Sequence, residues 1–377
     1  KGYNKGYSGK PLRAAFKVNK KPVSMNRVKK YSASILLGFV MTMISGLLMA
    51  SDTVIIKGVG TWEYFTNYQK HEGPFWNQHI ADVTDGRIVG EIKSHTELGM
   101  QGHEIMRLVK NGVFDFAFGL PGYVVPESEI FEGADLSSLV QNIAVQKQVA
   151  NAYFPTLERA FAEKYNAKLM MLYPFPSQMI WCNSPIRNID DLKGKRIRVF
   201  LATLGDFVEG VGAIPVSASF NDVPEALEKG IFDCAITGTM SAYTGKLYKV
   251  ASYGYTLRVG WGLAFGAMNM DKWNLLSDEL KALLQKEMSL LNEKMWQETA
   301  TEDAIALSCL ADGPCSIGEV GNMTLVEPTK SDLVVRNNVA MDVILPRWAE
   351  RCGPECAANW NRTVGKILGL RAEANAR

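Results

Sequence analysis

Two similar α/β lobes, each built on a doubly wound sheet, are the fold class this sequence predicts, and three observations predict it. The segment at 104–119 (EIMRLVKNGVFDFAFG) returns at 222–238 (DVPEALEKGIFDCAITG), so a helix, glycine, strand unit occurs once in each half. Strand-like and helix-like patterns alternate from residue 53 onward, the arrangement of an α/β chain. A length of 377 residues with 47% hydrophobic and 21% charged content can bury two cores. The 118 residues from Gly112 to Gly230 point to two lobes rather than one large sheet or a solenoid, which needs shorter periods and more copies.

Taken in chain order, residues 53–59 read as a strand, 65–83 as a helix and 87–92 as a second strand. In the repeat, Ile105, Leu108 and Val109, and likewise Val223, Ala226 and Leu227, mark one helical face. Gly112 and Gly230 end those helices, and the strands FDFAF and FDCAI follow at once. Residues 169–181 form an apolar run containing Pro174 and Pro176, while 195–200 (KRIRVF) and 213–218 are further strands. Strand, helix, strand, helix, strand over 197–237 is a doubly wound pattern, in which ligands sit outside the carboxyl ends of parallel strands. Residues 262–268 read as a strand returning to the first lobe. A long amphipathic helix over 278–307 carries Leu280, Leu283, Leu284, Met288, Leu291 and Met295 on one stripe. These readings assign 51–175 and 264–303 to lobe I, and 176–263 and 304–377 to lobe II. Long C-terminal helices bridge the two, and lobe II ends in a helical, cysteine-containing segment.

Charge is partitioned sharply along the chain. Residues 1–50 hold 10 of the 41 Lys and Arg and none of the 39 Asp and Glu, so the remainder carries 31 basic against 39 acidic residues, a net of −8. Such a body has no electrostatic footprint for nucleic acid or an anionic membrane surface. Within the first fifty residues, Met25 opens a stretch with Arg27, Lys29 and Lys30, followed by an apolar run at 33–49 and then Ala50, Ser51 and Asp52. That is the order of a secretory signal, with Met25 as the expected start and residues 1–24 as an upstream segment. An uncleaved anchor is the competing reading, disfavoured by the short run and by Thr42, Ser45 and Gly46 within it. The expected location is therefore the periplasm. Of six cysteines, Cys309, Cys315, Cys352 and Cys356 cluster near the C-terminus and are expected to form disulfides, in a pairing left open. Their spacings fit a zinc site poorly. Cys182 and Cys234 lie in strand-like apolar runs and read as buried spectators.

Arg198 is the residue with the sharpest chemistry. Strand alternation puts Ile197 and Val199 on one face and Arg196 and Arg198 on the other. A guanidinium binds a carboxylate through two parallel hydrogen bonds, although pattern alone leaves open a surface arginine paired with a nearby acid. Other signals are weaker. GVGTWE at 58–63 lacks the third glycine of a dinucleotide fingerprint, and His71, His79, His95 and His103 do not fall at metal-binding or catalytic spacings. No nucleophile elbow, P-loop or zinc-protease motif occurs, which leaves a secreted hydrolase using Cys182 or Cys234 as the nearest enzyme reading. No metal or cofactor is expected.

The stretch NIDDLKGKRIRV, followed by GAIPVSASFNDVPEALEKGIFDCAITG, resembles the second-lobe signature of the solute-binding subunits of tripartite ATP-independent periplasmic (TRAP) transporters. In the first half, DGRIVGEIKSHTELG, EIMRLVKNGVFDFAFG and a Val-Pro-Glu at 125–127 are similar to the same family, whose members include C4-dicarboxylate-binding proteins. The likeness covers residues 53–300. It implies a type II periplasmic-binding-protein-like fold, no enzymatic activity, and delivery of a small organic acid to integral membrane subunits for ion-driven uptake. A binding protein of an ATP-driven importer is the alternative within the class.

By position, the resemblance makes Arg198 the carboxylate anchor and Phe220 the aromatic that flanks the ligand. A second arginine that often assists is Gln178 here, and a common asparagine is Thr237, which keeps a donor in a shorter side chain. With one strong positive charge in the pocket, a monocarboxylate is expected before a dicarboxylate. Trp62, after the first strand, and Trp261, where the chain crosses between lobes, are further candidate pocket walls, each with core burial as the competing reading. Trp181 falls on the opposite strand face from Gln178 and reads as core.

Overall fold

The computed structural model describes residues 53–124 and 128–373. The leader expected over 1–50 and the match at 125–127 lie outside the described residues. In chain order the strands are β1 (Val54–Gly60), β2 (Ile88–Ser94), β3 (Phe116–Gly119), β4 (Ala167–Pro174), β5 (Gln178–Cys182), β6 (Arg196–Val199), β7 (Ile214–Ser217), β8 (Cys234–Gly238), β9 (Tyr253–Gly260), β10 (Leu263–Asn269) and β11 (Thr324–Val326). They form two sheets, one ordered β2-β1-β3-β10-β4 and the other β11-β9-β5-β8-β6-β7, which are the centres of two lobes.

Each repeat supplies a parallel strand to its own sheet. β1 pairs in parallel with β2 and β3, and β6 pairs in parallel with β7 and β8. Gly112 and Gly230 end the preceding helices in the left-handed conformation, at φ of 69° and 63°. The sheets are mixed rather than wholly parallel, because β10 runs antiparallel to β3 and β4, and β5 antiparallel to β8 and β9. These antiparallel partners are the strands that carry the chain between lobes, a direction that periodicity along one strand does not encode.

The apolar run at 169–181 divides into β4 and β5, one in each sheet. Pro174 and Pro176 bracket the break, where a missing N–H interrupts ladder pairing. The return crossing lies beside it, with the Phe175 N–H donating to Gly262 O at 3.1 Å. Gly262 sits at φ 61°, and a Cβ there would come within 2.8 Å of Gln178 Nε2, so both backbone angle and space select glycine. The two crossings thus form a short paired ribbon joining the sheets.

Helices close both faces. The predicted helix at 65–83 is present and absorbs the Gly73-Pro74 pair through π-helical turns at Tyr68–Glu72 and Phe75–His79. A single core contains Ile56, Phe116 and Trp76 on the first sheet's side, and Trp181, Phe220 and Leu247 on the second's. The long helix Asp278–Leu310 contributes Leu280, Leu284 and Met288 at one end of this core and Ala306, Cys309 and Leu310 at the other, so it touches both lobes. The outer face of the first sheet packs on the helix Ile143–Tyr165, which is covered by Trp348 and Trp360 from the C-terminal helices. Their indole N–H groups donate to Glu129 O and Gly133 O. The outer face of the second sheet packs on the helix Ala202–Gly210 and on Val339, Ala340 and Ile344.

All six cysteines are paired. Cys309 bonds Cys315 and Cys352 bonds Cys356, so the C-terminal pairs are local. The reading of Cys182 and Cys234 as spectators is corrected: both are fully buried, yet they face each other in the β5–β8 register and form a disulfide. Each cysteine shows in sequence only its own apolar run, and register is a property of the pair. With 52 residues separating them, the double replacement by alanine is expected to lower stability by about 2 to 4 kcal/mol. Denaturant midpoints of the two oxidised proteins would measure it, and equal midpoints would show that the bridge is not stabilising.

Candidate functional site

β6 places Arg198 near its carboxyl end, between β7 and β8. The side chain is 1% exposed. Its Nε donates to Ala218 O at 2.8 Å and its Nη1 to Ile236 O at 3.0 Å, so carbonyls from the residue after β7 and from β8 hold the guanidinium plane. Phe200 and Phe220 lie 5.2 and 5.9 Å from the charge centre. Burial pushes the guanidinium pKa down from its ordinary value, while Tyr123, Asp222 and Tyr64 pull it back up. Among the described residues no carboxylate lies within ion-pairing distance of it. Arg196, on the same strand face, is the arginine that pairs with an acid, donating to Asp233 at 2.8 Å in a half-exposed position. Of the two arginines on this strand face, the reading of a surface arginine paired with a nearby acid therefore fits Arg196.

Arg198 borders a small cleft of about 20 Å³ between the lobes. Gln178, Phe220, Thr237 and Trp62 border it too, so five of the six sequence candidates meet at one place. Trp261 does not. Its indole N–H donates to Val140 O at 3.1 Å and its ring packs against Arg258 at 4.6 Å, which places it in the crossing rather than in the cavity wall. Trp181 is core, donating to Thr237 O from behind the site. The remaining walls are Phe65, Leu120, Tyr123, Phe175, Phe200 and Ser241. Two of these had a usable signal: Phe200 is two residues beyond Arg198, and Tyr123 follows β3 at a strand's carboxyl end, where the doubly wound rule places ligands.

Trp62 acts as the bridge between lobes. Its N–H donates to Asn221 Oδ1 at 2.7 Å, and its ring meets those of Phe65, His95, Tyr123, Phe175 and Phe220 at centroid distances of 4.5 to 6.4 Å. The turn carrying it is fixed from beneath by Glu72, which accepts from the Thr61 N–H at 2.7 Å, the Thr61 hydroxyl at 2.9 Å and the Tyr173 hydroxyl at 2.7 Å. Asn221 carries no sequence signal beyond its place beside Phe220. The arrangement is a small aromatic box with one cation, suited to binding a small anion.

Buried acids around the site impose a pH dependence. Burial pushes Glu72 up to about 7, Glu132 up to about 8 and Asp135 up to about 7. Glu132 accepts from the Thr203 N–H, and Asp135 from the Leu263 N–H. A carboxyl with a raised folded pKa contributes its stability below the ordinary value and loses it as pH rises through the folded value. Buried His95, pushed down to about 4, and His71, also pushed down, act oppositely, and their effect is complete above 6.5. Between pH 6.5 and 8 the carboxyls prevail, so stability is expected to fall on the order of 1 kcal/mol per pH unit. Melts across that window would show it, and a flat or rising Tm would mean these acids ionise at little cost.

The profile of bacterial extracellular solute-binding proteins, family 7, matches residues 66–330. The ectoine-binding periplasmic protein TeaA of Halomonas elongata is 24% identical over 259 residues, covering 63% of this chain and 74% of its own. Among solved structures, a Bordetella pertussis extracytoplasmic solute receptor binding pyroglutamic acid superposes with a TM-score of 0.74 at 17% identity, over 82% of this chain and 99% of that one. A TRAP periplasmic solute-binding protein from Sulfurospirillum deleyianum with bound succinate superposes with a TM-score of 0.71 at 18% identity, over 84% and 99% of the two chains.

Proposed function

This chain belongs to the bacterial extracellular solute-binding proteins of family 7, and from that premise we propose that it captures a small monocarboxylate through Arg198 and hands it to TRAP membrane subunits. It is a solute-binding protein and not an enzyme. Both cysteines that an enzyme reading required are held in one disulfide, which leaves neither as a free thiolate.

One observation carries the proposal: a fully buried guanidinium bordering the cleft between the lobes, held by two carbonyls and lacking an acidic partner among the described residues. A buried charge without a counterion is costly, and a bound carboxylate relieves that cost through two charge-assisted hydrogen bonds. The structural neighbours bind a monocarboxylate and a dicarboxylate, so kinship leaves the choice between them open. A single cation in so small a cleft favours one carboxylate, since Gln178 and Thr237 add no charge. Capture proceeds by closing the lobes about the crossing ribbon at Phe175 and Gly262, with the Trp62–Asn221 bond made on closure.

Thermal-shift and calorimetric screening against monocarboxylates, dicarboxylates and sugar acids tests the reading. A ligand at 100 times its Kd adds about 2.7 kcal/mol of stability. A panel in which no carboxylate stabilises the protein, or in which neutral sugars do, would overturn it.

A further inference from the structure

The wall opposite a bound carboxylate must recognise the rest of the ligand, and its polar content is small. Apart from Arg198, the polar side chains bordering the cleft are Gln178, Thr237, Ser241, Tyr123, whose hydroxyl interacts with Arg198, and Trp62, whose N–H is taken by Asn221; the rest are Phe rings and Leu120. Gln178 is 3% exposed, and its amide orientation is set by the network: Nε2 donates to Pro176 O at 3.0 Å, which leaves Oε1 as the acceptor. Oε1 has no hydrogen-bond partner. The side chain is also held in place, since Nε2 lies 3.2 Å from where a Cβ would stand on Gly238 and 2.8 Å from the same point on Gly262. A fixed, buried acceptor without a donor is a cost to the unliganded protein that a ligand N–H or O–H removes.

We infer that Gln178 is a specificity-determining residue, accepting a hydrogen bond from an uncharged N–H or O–H on a compact monocarboxylate whose acid group sits on Arg198. This rests on the carboxylate reading above. A hydroxy acid or a cyclic amide acid satisfies both groups. A plain apolar acid leaves Oε1 unpaired, and a dicarboxylate sets a second anion against an acceptor in a cavity with one cation.

Matched pairs that differ only in the donor test the inference by calorimetry on the full chain. The probes are pyroglutamate against 3-oxocyclopentanecarboxylate, where N–H becomes CH₂, and mandelate against phenylacetate, where O–H becomes H. Succinate is included as a dicarboxylate. For at least one pair the donor acid is expected to bind roughly 10- to 100-fold more tightly. In Gln178→Met, which keeps the side-chain length without the amide, that ratio is expected to fall to within about threefold while the donor-free acid holds its affinity. Equal binding within both pairs, a ratio unchanged in Gln178→Met, or succinate as the tightest probe would overturn the role of Gln178 and leave Arg198 untouched. Binding by none of the five acids would overturn the inference and the carboxylate reading together. The pair ratios in the wild-type protein stand even if Gln178→Met fails to fold.

Discussion

Replacing Arg198 by alanine is expected to weaken carboxylate binding by about 3 to 5 kcal/mol, the cost of leaving one member of a buried charge pair alone. That is a loss of more than a hundredfold in affinity. The same change should do far less harm to the unliganded protein. The guanidinium is desolvated and lacks an acid, so deleting it removes an unfavourable charge, at the expense of two carbonyl contacts at Ala218 and Ile236. Arg198→Met fills more of the space and is expected to match or exceed the wild-type Tm without ligand while still failing to bind. Arg198→Lys keeps charge but loses the two-pronged geometry, and should fall between. Calorimetry for affinity and melts without ligand give the two readouts. Full affinity in Arg198→Ala would refute the anchor.

The two lobes were legible because the repeat assigns one α/β unit to each half, and Arg198 is proposed as the anchor because strand alternation and a resembling motif converge on it. Patterns along a strand do not report what lies across it. Cys182 and Cys234 each look like an isolated buried thiol until the β5–β8 register makes them partners. Trp62 and Trp261 were equivalent as aromatic residues at lobe crossings or strand ends, and only the fold turns one into the cavity and the other against Arg258. Tyr123, Phe175 and Asn221 reach the site from three different segments, so no local window contains the box they help form. Glu72 is a further step removed: it holds Thr61, the residue before Trp62, and its importance lies in a hydrogen-bond network that sequence spacing does not contain.

The second large effect is expected at Asp303, a residue with no motif around it. From the long helix it accepts the Ser177 N–H at 3.0 Å, the Thr239 hydroxyl at 2.7 Å and the Arg258 guanidinium at 3.2 Å, and it also accepts the Ser177 hydroxyl. Ser177 belongs to the outward crossing and Arg258 to the strand leading into the return crossing, so one carboxylate ties both limbs of the ribbon to the helix that spans the lobes. Arg258 reinforces this by donating to Ser177 Oγ at 2.7 Å and to Gln141 O at 2.8 Å. Asp303→Ala strands four donors and leaves Arg258 without its acid, which is expected to cost about 2 to 4 kcal/mol, discounted because both side chains keep partial solvent access. Asp303→Asn retains an acceptor but not the charge and should cost about half as much. Because the ribbon is where closure must turn, the loss should also reach ligand affinity in a protein whose cavity is unaltered, read as a faster ligand off-rate with Arg198 intact. Stability and off-rate both unchanged in Asp303→Ala would mean that the crossings hold their geometry through the Phe175–Gly262 pairing alone.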